Sequence, residues 1–239
     1  MRTWRGAALL LGLLLAGAAD AQEVGAGIDA YNRGDFTAAY RLLRAAADAG
    51  DSDAQVNLGY LYARGHGVAQ DHQEAMRLYL LSAKQGNAEG MNAIGFKHWF
   101  GSGVPIDLPR AVHWFCRAAV SGDPRGLNNL GIMYYQGKGV DRELAEARNL
   151  WRQSAERGNP NAMFNLGQSL YREEPQDKGL AADLLLRAAR RGHGGAQKYV
   201  RHLGYTGPLP PAVDTEREMR RALRDLPPGK VRDCGYFAS

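Results

Sequence analysis

Residues 122–158 read GDPRGLNNLGIMYYQGKGVDRELAEARNLWRQSAERG, and the rest of the chain repeats their marks at an offset of about 36. A closing glycine returns at Gly50, Gly86, Gly122 and Gly158. A Leu-Gly or Ile-Gly pair returns at Leu58-Gly59, Ile94-Gly95, Leu130-Gly131 and Leu166-Gly167. A Gly-x-Gly-Val loop returns at Gly65 to Val68, Gly101 to Val104 and Gly137 to Val140. Three marks held in step over several copies make this a repeat protein.

The punctuation between the marks is helical. Asp51, Asn87, Asp123 and Asn159 follow the closing glycines, and Pro124 and Pro160 come next. Glycine in the left-handed region ends a helix. Asp or Asn accepts the free amides that begin one, and Pro suits the first turn. Before the first full copy, Val24 to Arg33 reads as a short helix stopped at Gly34. Asp35 then caps a helix over 36–49, whose apolar residues Phe36, Ala39, Tyr40, Leu43 and Ala46 or Ala47 have one-sided helical spacing.

Each copy divides into two helices. The first carries Ala54, Leu58, Gly59 and Tyr62, with Gly59 admitting a close partner. The loop valine (Val68, Val104, Val140) staples the turn. The spacing of Asp71 and Glu74 predicts a capping box for the second helix. Asp107 holds the same place in the next copy, and Glu143, a poorer cap, in the third. Second helices carry Ala75, Tyr79, Ala83; Ala111, Phe115, Ala119; and Ala147, Trp151, Ala155. Small residues permit tight contact and the aromatic fills the gap. The fourth copy has Glu173-Glu174-Pro175 in place of the loop, with Asp177 as its cap, and closes at Gly192. A half-copy, Ala196 to Leu203, follows, with Arg201 where the pattern wants Gly; such a degraded end suits a terminal cap.

These residues resemble the Sel-one-like repeat family, a branch of the tetratricopeptide-like superfamily. The resemblance lies in A-x-x-x-L-G-x-x-Y-x-x-G-x-G-V, then an acid, then A-x-x-x-(aromatic)-x-x-x-A-x-x-G, over about residues 35–200. It implies an all-α fold, an α-solenoid of antiparallel helix pairs stacked as a right-handed superhelix. It also implies a scaffold or adaptor role in a bacterial envelope.

The termini carry other signals. Arg2 and Arg5 precede an uncharged apolar run, Ala7 to Ala19, and Ala19-Asp20-Ala21 offers small residues for cleavage before Gln22. The run is about 13 residues, short of the ~20 a bilayer needs. Residues 1–21 therefore read as a signal peptide, 22–204 as the repeat domain and 205–239 as a tail, with the mature chain periplasmic or secreted. In the tail, Gly207-Pro208-Leu209-Pro210-Pro211 reads as an extended linker. Thr215 with Glu218 reads as a capping box, and Met219, Leu223 and Leu226 form an apolar stripe. From Arg187 to the end there are 11 Lys and Arg against 5 Asp and Glu, whereas residues 22–184 hold 17 against 19. The basic end is either a solvated face or a docking patch for an acidic partner or anionic headgroups. The two cysteines are Cys116 and Cys234. Export would permit a disulfide between them; spacing alone leaves bonded and free thiols both open.

No motif for chemistry emerges. The six His are scattered without an H-E-x-x-H or Cys-His zinc spacing, and no G-x-S-x-G or phosphate-binding Gly-rich loop is present. His98 and His113 fall in one helical pair without the further ligands a metal needs. The sequence thus points to no cofactor, no metal, no nucleic-acid partner and no enzyme. One alternative is a secreted enzyme like the family's cysteine-rich penicillin-binding or β-lactamase-like members, but their paired cysteines are missing here. A second is a polysaccharide or membrane-surface binder acting through the basic tail.

Binding to a protein or extended peptide is the leading expectation. On a helical wheel, Val56, Tyr60 and Arg64 lie opposite Ala54, Leu58 and Tyr62. The equivalent positions are Asn92, Phe96 and Phe100, then Asn128, Ile132 and Gln136, then Phe164, Gln168 and Arg172. By resemblance, first helices line the concave surface. Rings beside amides suit a peptide, rings taking apolar side chains and amides taking main-chain groups. The same rings could instead fill gaps between copies.

Overall fold

A computed structural model describes residues 23–173, 178–202 and 204. Eleven helices and no strands occur among the described residues. Helix α1 covers residues 23–32, and ten more follow: α2 Phe36–Asp48, α3 Ser52–Arg64, α4 His72–Lys84, α5 Ala88–Phe100, α6 Leu108–Val120, α7 Pro124–Gln136, α8 Leu144–Glu156, α9 Pro160–Glu173, α10 Lys178–Arg190 and α11 Gly194–His202. They fall into two compact units, the first through Ile106 and the second from Asp107. In each unit consecutive helices pack on one another, as an all-α solenoid requires. In the first unit α3 also touches α5.

The caps form where the residues place them. Asp35, Asp51, Asn87, Asp107 and Asp123 each accept a bond from a first-turn amide with their side chains. Glu143 makes no such bond, as its longer side chain leads one to expect. The capping box at α4 is only half formed. The Asp71 carboxylate takes the amides of Gln73 and Glu74 at 2.9 and 3.0 Å. The Glu74 carboxylate turns instead to the Arg77 guanidinium, 2.7 Å from both oxygens, and the Asp71 amide donates to the Tyr62 carbonyl at 2.9 Å. Asp177, the tail helix and the tail linker lie outside the described residues.

Two kinds of glycine set the packing. The first sits in a first helix beneath the large residue of its partner. A Cβ on Gly59 would lie 2.5 Å from the Tyr79 ring, one on Gly131 2.7 Å from the Trp151 indole nitrogen, and one on Gly167 3.0 Å from Leu185. The second kind ends the Gly-x-Gly loop. A Cβ on Gly67 would lie 2.3 Å from the Phe36 carbonyl, one on Gly103 2.2 Å from His72 Cβ, and one on Gly139 2.4 Å from the Leu108 carbonyl carbon. Each loop therefore rests on the start of the second helix in the copy before it.

Side-chain hydrogen bonds fix the same register. In the first unit Ser82 donates to the Ser52 carbonyl at 2.8 Å and the Asn87 amide to Ser52 Oγ at 3.1 Å. In the second, Ser154 and Asn159 both donate to the Pro124 carbonyl. The core is the apolar seam between helices, including the second-helix triads from Ala75 to Ala155.

At α11 a histidine replaces the usual cap. His193 Nδ1 accepts from the Ala196 amide at 2.9 Å, and its ring stacks on Phe164 with centroids 4.4 Å apart. Burial holds its pKa below the ordinary histidine value, against a smaller opposing effect of a backbone hydrogen bond. The folded state thus favours the neutral ring, so the cap's stabilisation is complete above the unfolded pKa of about 6.5 and is lost as pH falls through the lower folded value. Amide exchange at residues 196–200, corrected for intrinsic rates, should therefore speed up by about three- to tenfold between pH 7.5 and 5, the worth of a typical cap. In His193→Asn the acceleration should vanish.

Candidate partner-binding surface

The exposed side of a first helix is not the one that the helical wheel suggests. Helix α3 packs against α2 and α4 and touches α5, so Val56, expected on the open side, is buried with Leu58 and Leu61. On α3, Asp53 and Arg64 are exposed, and Ser52, Asn57, Tyr60, Tyr62 and Ala63 are partly exposed. Asn92 and Asn128, which share the row of Val56, are likewise buried. They form the floor of the surface rather than its contact layer.

In the first unit, Tyr60 is half-buried. Its ring lies 5.5 Å from that of Tyr79, and the Arg64 guanidinium sits 5.9 Å from its centroid. Phe96 is 38% and Phe100 63% exposed. Trp99, which sequence reading passed over, joins them. The three rings lie within 4–7° of parallel, with centroids 5.2–6.1 Å apart. Trp99 could have been anticipated, because it stands one turn beyond Phe96.

Behind these rings lies a group that the periodicity hid. Lys97 occupies the row of Leu61 and Met133, both fully buried, and is itself only 8% exposed. Its Nζ is 3.3 Å from His72 Nδ1. Burial lowers its pKa, since desolvation disfavours the ammonium.

In the second unit the amides bond to one another. Asn165 donates to Asn128 Oδ1 at 2.9 Å, and Asn128 donates to Asn129 Oδ1 at 3.3 Å. The Asn128 carbonyl takes the Trp151 indole N–H at 3.2 Å. Ile132 and Gln168 are half-buried, while Gln136 and Arg172 are exposed. Phe164 is half-buried, engaged with His193 and, edge-on at 6.3 Å, with Tyr199. It fills a gap between copies, the other role left open for these rings. Sequence reading also missed Arg148, whose guanidinium bonds Ser169 Oγ at 2.9 Å and Glu173 at 3.2 Å.

No cluster of three His, Cys, Asp or Glu side chains able to share a metal ion occurs among the described residues. No helix among them is long and apolar enough to cross a membrane.

A family model described as Sel1 repeat matches the chain five times, at residues 7–51, 52–87, 88–123, 124–159 and 160–193. No curated protein matches. Among solved structures, the chain is similar to a Sel1 repeat protein from Oxalobacter formigenes, with 28% identity, 86% of each chain covered and a TM-score of 0.70. It is also similar to a protective antigen present in uropathogenic Escherichia coli strains that displays an SLR fold. There the identity is 29% and the TM-score 0.62, with 86% of this chain and 46% of the antigen covered.

Proposed function

We propose, from the premise that this chain belongs to the Sel1 repeat family, that it is an exported scaffold gripping an extended peptide segment of a partner protein in the envelope. Interaction between proteins is the general role of the family's repeats. The observation that carries the finer reading is the Phe96–Trp99–Phe100 group. Parallel rings of which two, Phe96 and Phe100, are exposed make the kind of aromatic anchor that dominates binding energy at interfaces. Beside them Tyr60 and Arg64 add an amphipathic rim. Export rests on the basic, apolar and small-residue segments of residues 1–21.

One experiment addresses both parts. The full chain, tagged at its C-terminus, is expressed, the cells are fractionated, and the tagged protein with its captured partner is identified by mass spectrometry. The mature chain should start at Gln22 and sit in the exported fraction. Phe96→Ala with Phe100→Ala should weaken capture by about 10- to 100-fold, the loss of one or two aromatic anchors. Because Phe100 is well exposed, Phe100→Ala alone should keep its helicity and still lose affinity. Full capture by both variants would remove these rings from the interface. An unprocessed chain in the cytoplasmic fraction would remove export.

A further inference from the structure

Lys97 is a buried cation without a counter-ion. It is 8% exposed, and among the described residues its side chain meets His72, with Nζ and Nδ1 3.3 Å apart, but no carboxylate. An imidazole is neutral or positive, so it cannot balance an ammonium. Other cations that the fold largely buries are treated differently. Arg148, Arg152 and Arg187 each hold a carboxylate: Glu173 at 3.2 Å, Glu156 at 3.2 Å and Asp183 at 2.7 Å.

The row of Lys97 is otherwise uncharged. Its counterparts in the other copies are Leu61, Met133 and Ser169, all buried. Those copies pack without a lysine there, so packing does not account for this one. An unpaired ammonium in such a place costs free energy. The lowered pKa of Lys97 is that same cost, felt by the proton.

The cation stands next to the exposed rings. Phe96 adjoins Lys97 in sequence, and Phe100 follows it by one turn of α5, which places the Cβ atoms of Lys97 and Phe100 about 5–6 Å apart. His72, beside the ammonium, is only half-buried, so the charge is covered but not sealed. In an extended peptide, side chains two residues apart share a face and stand about 6.5–7 Å apart. One side chain of such a pair can seat on Phe100 while the other reaches Lys97.

We propose that the captured peptide segment is acidic: an Asp or Glu two residues from the apolar side chain seated on Phe100 supplies the carboxylate that pairs with Lys97. This rests on the reading of Phe96 and Phe100 as the anchor, and it adds the partner's charge and spacing. A charge pair enclosed by an interface discriminates strongly, because a partner lacking the carboxylate leaves the ammonium buried and alone.

The test uses the purified full chain and three blocked peptides. The first is acetyl-Ala-Glu-Ala-Phe-Ala-Glu-Ala-amide, which offers a carboxylate two residues from the ring in either chain direction. The second has Gln for both Glu. The third, acetyl-Ala-Ala-Glu-Phe-Glu-Ala-Ala-amide, turns the carboxylates to the opposite face. Titration is followed by tryptophan fluorescence, since Trp99 stacks on Phe96. The second and third peptides should bind at least about tenfold more weakly than the first. Lys97→Met, the residue found at Met133, should bind all three alike. It should also raise Tm by about 2–8 °C, because an apolar residue replaces an unpaired charge.

The acidic partner is overturned if the wild-type chain binds the Glu and Gln peptides equally. If Phe100→Ala then abolishes that common binding, the aromatic anchor stands and only the carboxylate falls. Binding of none of the peptides would remove the anchor as well. A preference for Glu that survives Lys97→Met, or a lower Tm in that variant, would make Lys97 a structural residue and overturn the pairing.

Discussion

Gly139→Ala should lower the melting temperature by about 10 °C, while Gly122→Ala should lower it by only about 3 °C. Both glycines have positive φ, +70° and +85°. Any L-residue at either position meets the same backbone penalty, about 1–2 kcal/mol. They differ in what surrounds them. A Cβ on Gly122 meets nothing within 4 Å, whereas one on Gly139 lies 2.4 Å from the carbonyl carbon and 2.5 Å from the oxygen of Leu108. Those atoms are main chain and cannot swing aside, so α6 and the loop must separate. Such overpacking adds about 1–3 kcal/mol, and each kcal/mol is about 2–4 °C in a chain of this size. Thermal unfolding followed by circular dichroism decides the matter. Equal losses at the two positions would mean that the loop rests on α6 without bearing on it.

The second large effect is at Trp151. Its indole is buried over Gly131 and donates to the Asn128 carbonyl. Trp151→Ala removes that packing and should cost about 3–5 kcal/mol. The pair makes a sharper test than the single change. Gly131→Ala places a methyl 2.7 Å from the indole nitrogen and should destabilise the wild type by about 2 kcal/mol. In a Trp151→Phe background the smaller ring leaves room, and the same substitution should cost about 1 kcal/mol less. Denaturant melts of the four proteins give the coupling directly. Strict additivity would show that the indole does not rest on the Gly131 backbone.

Much of the fold could be read from residues alone, because its determinants are local. Asp51, Asn87 and Asp123 cap the helices that follow them, since a cap depends on three or four neighbouring residues. Gly59 and Tyr79 could be paired because the period brings each to the same place in its helix. The surface was harder. A helical wheel divides a helix into two sides, but α3 is enclosed by α2, α4 and α5, so a row opposite the seam, Val56, Asn92 and Asn128, turned out to be floor. Lys97 was invisible for a related reason. A wheel reads a lysine as solvent-facing, whereas Leu61 and Met133 mark its row as interior. Comparing copies with one another, rather than residues with a wheel, would have found it.

Each loop leans on the helix start just before it: Gly67 on Phe36, Gly103 on His72, Gly139 on Leu108. Recognition between modules is thus written in a short-range, one-directional grammar. A 36-residue segment duplicated in frame would meet the same surfaces upstream and downstream as any resident module. Gene duplication and unequal crossing-over can therefore lengthen or shorten such a protein by whole modules, with no interface needing to be invented.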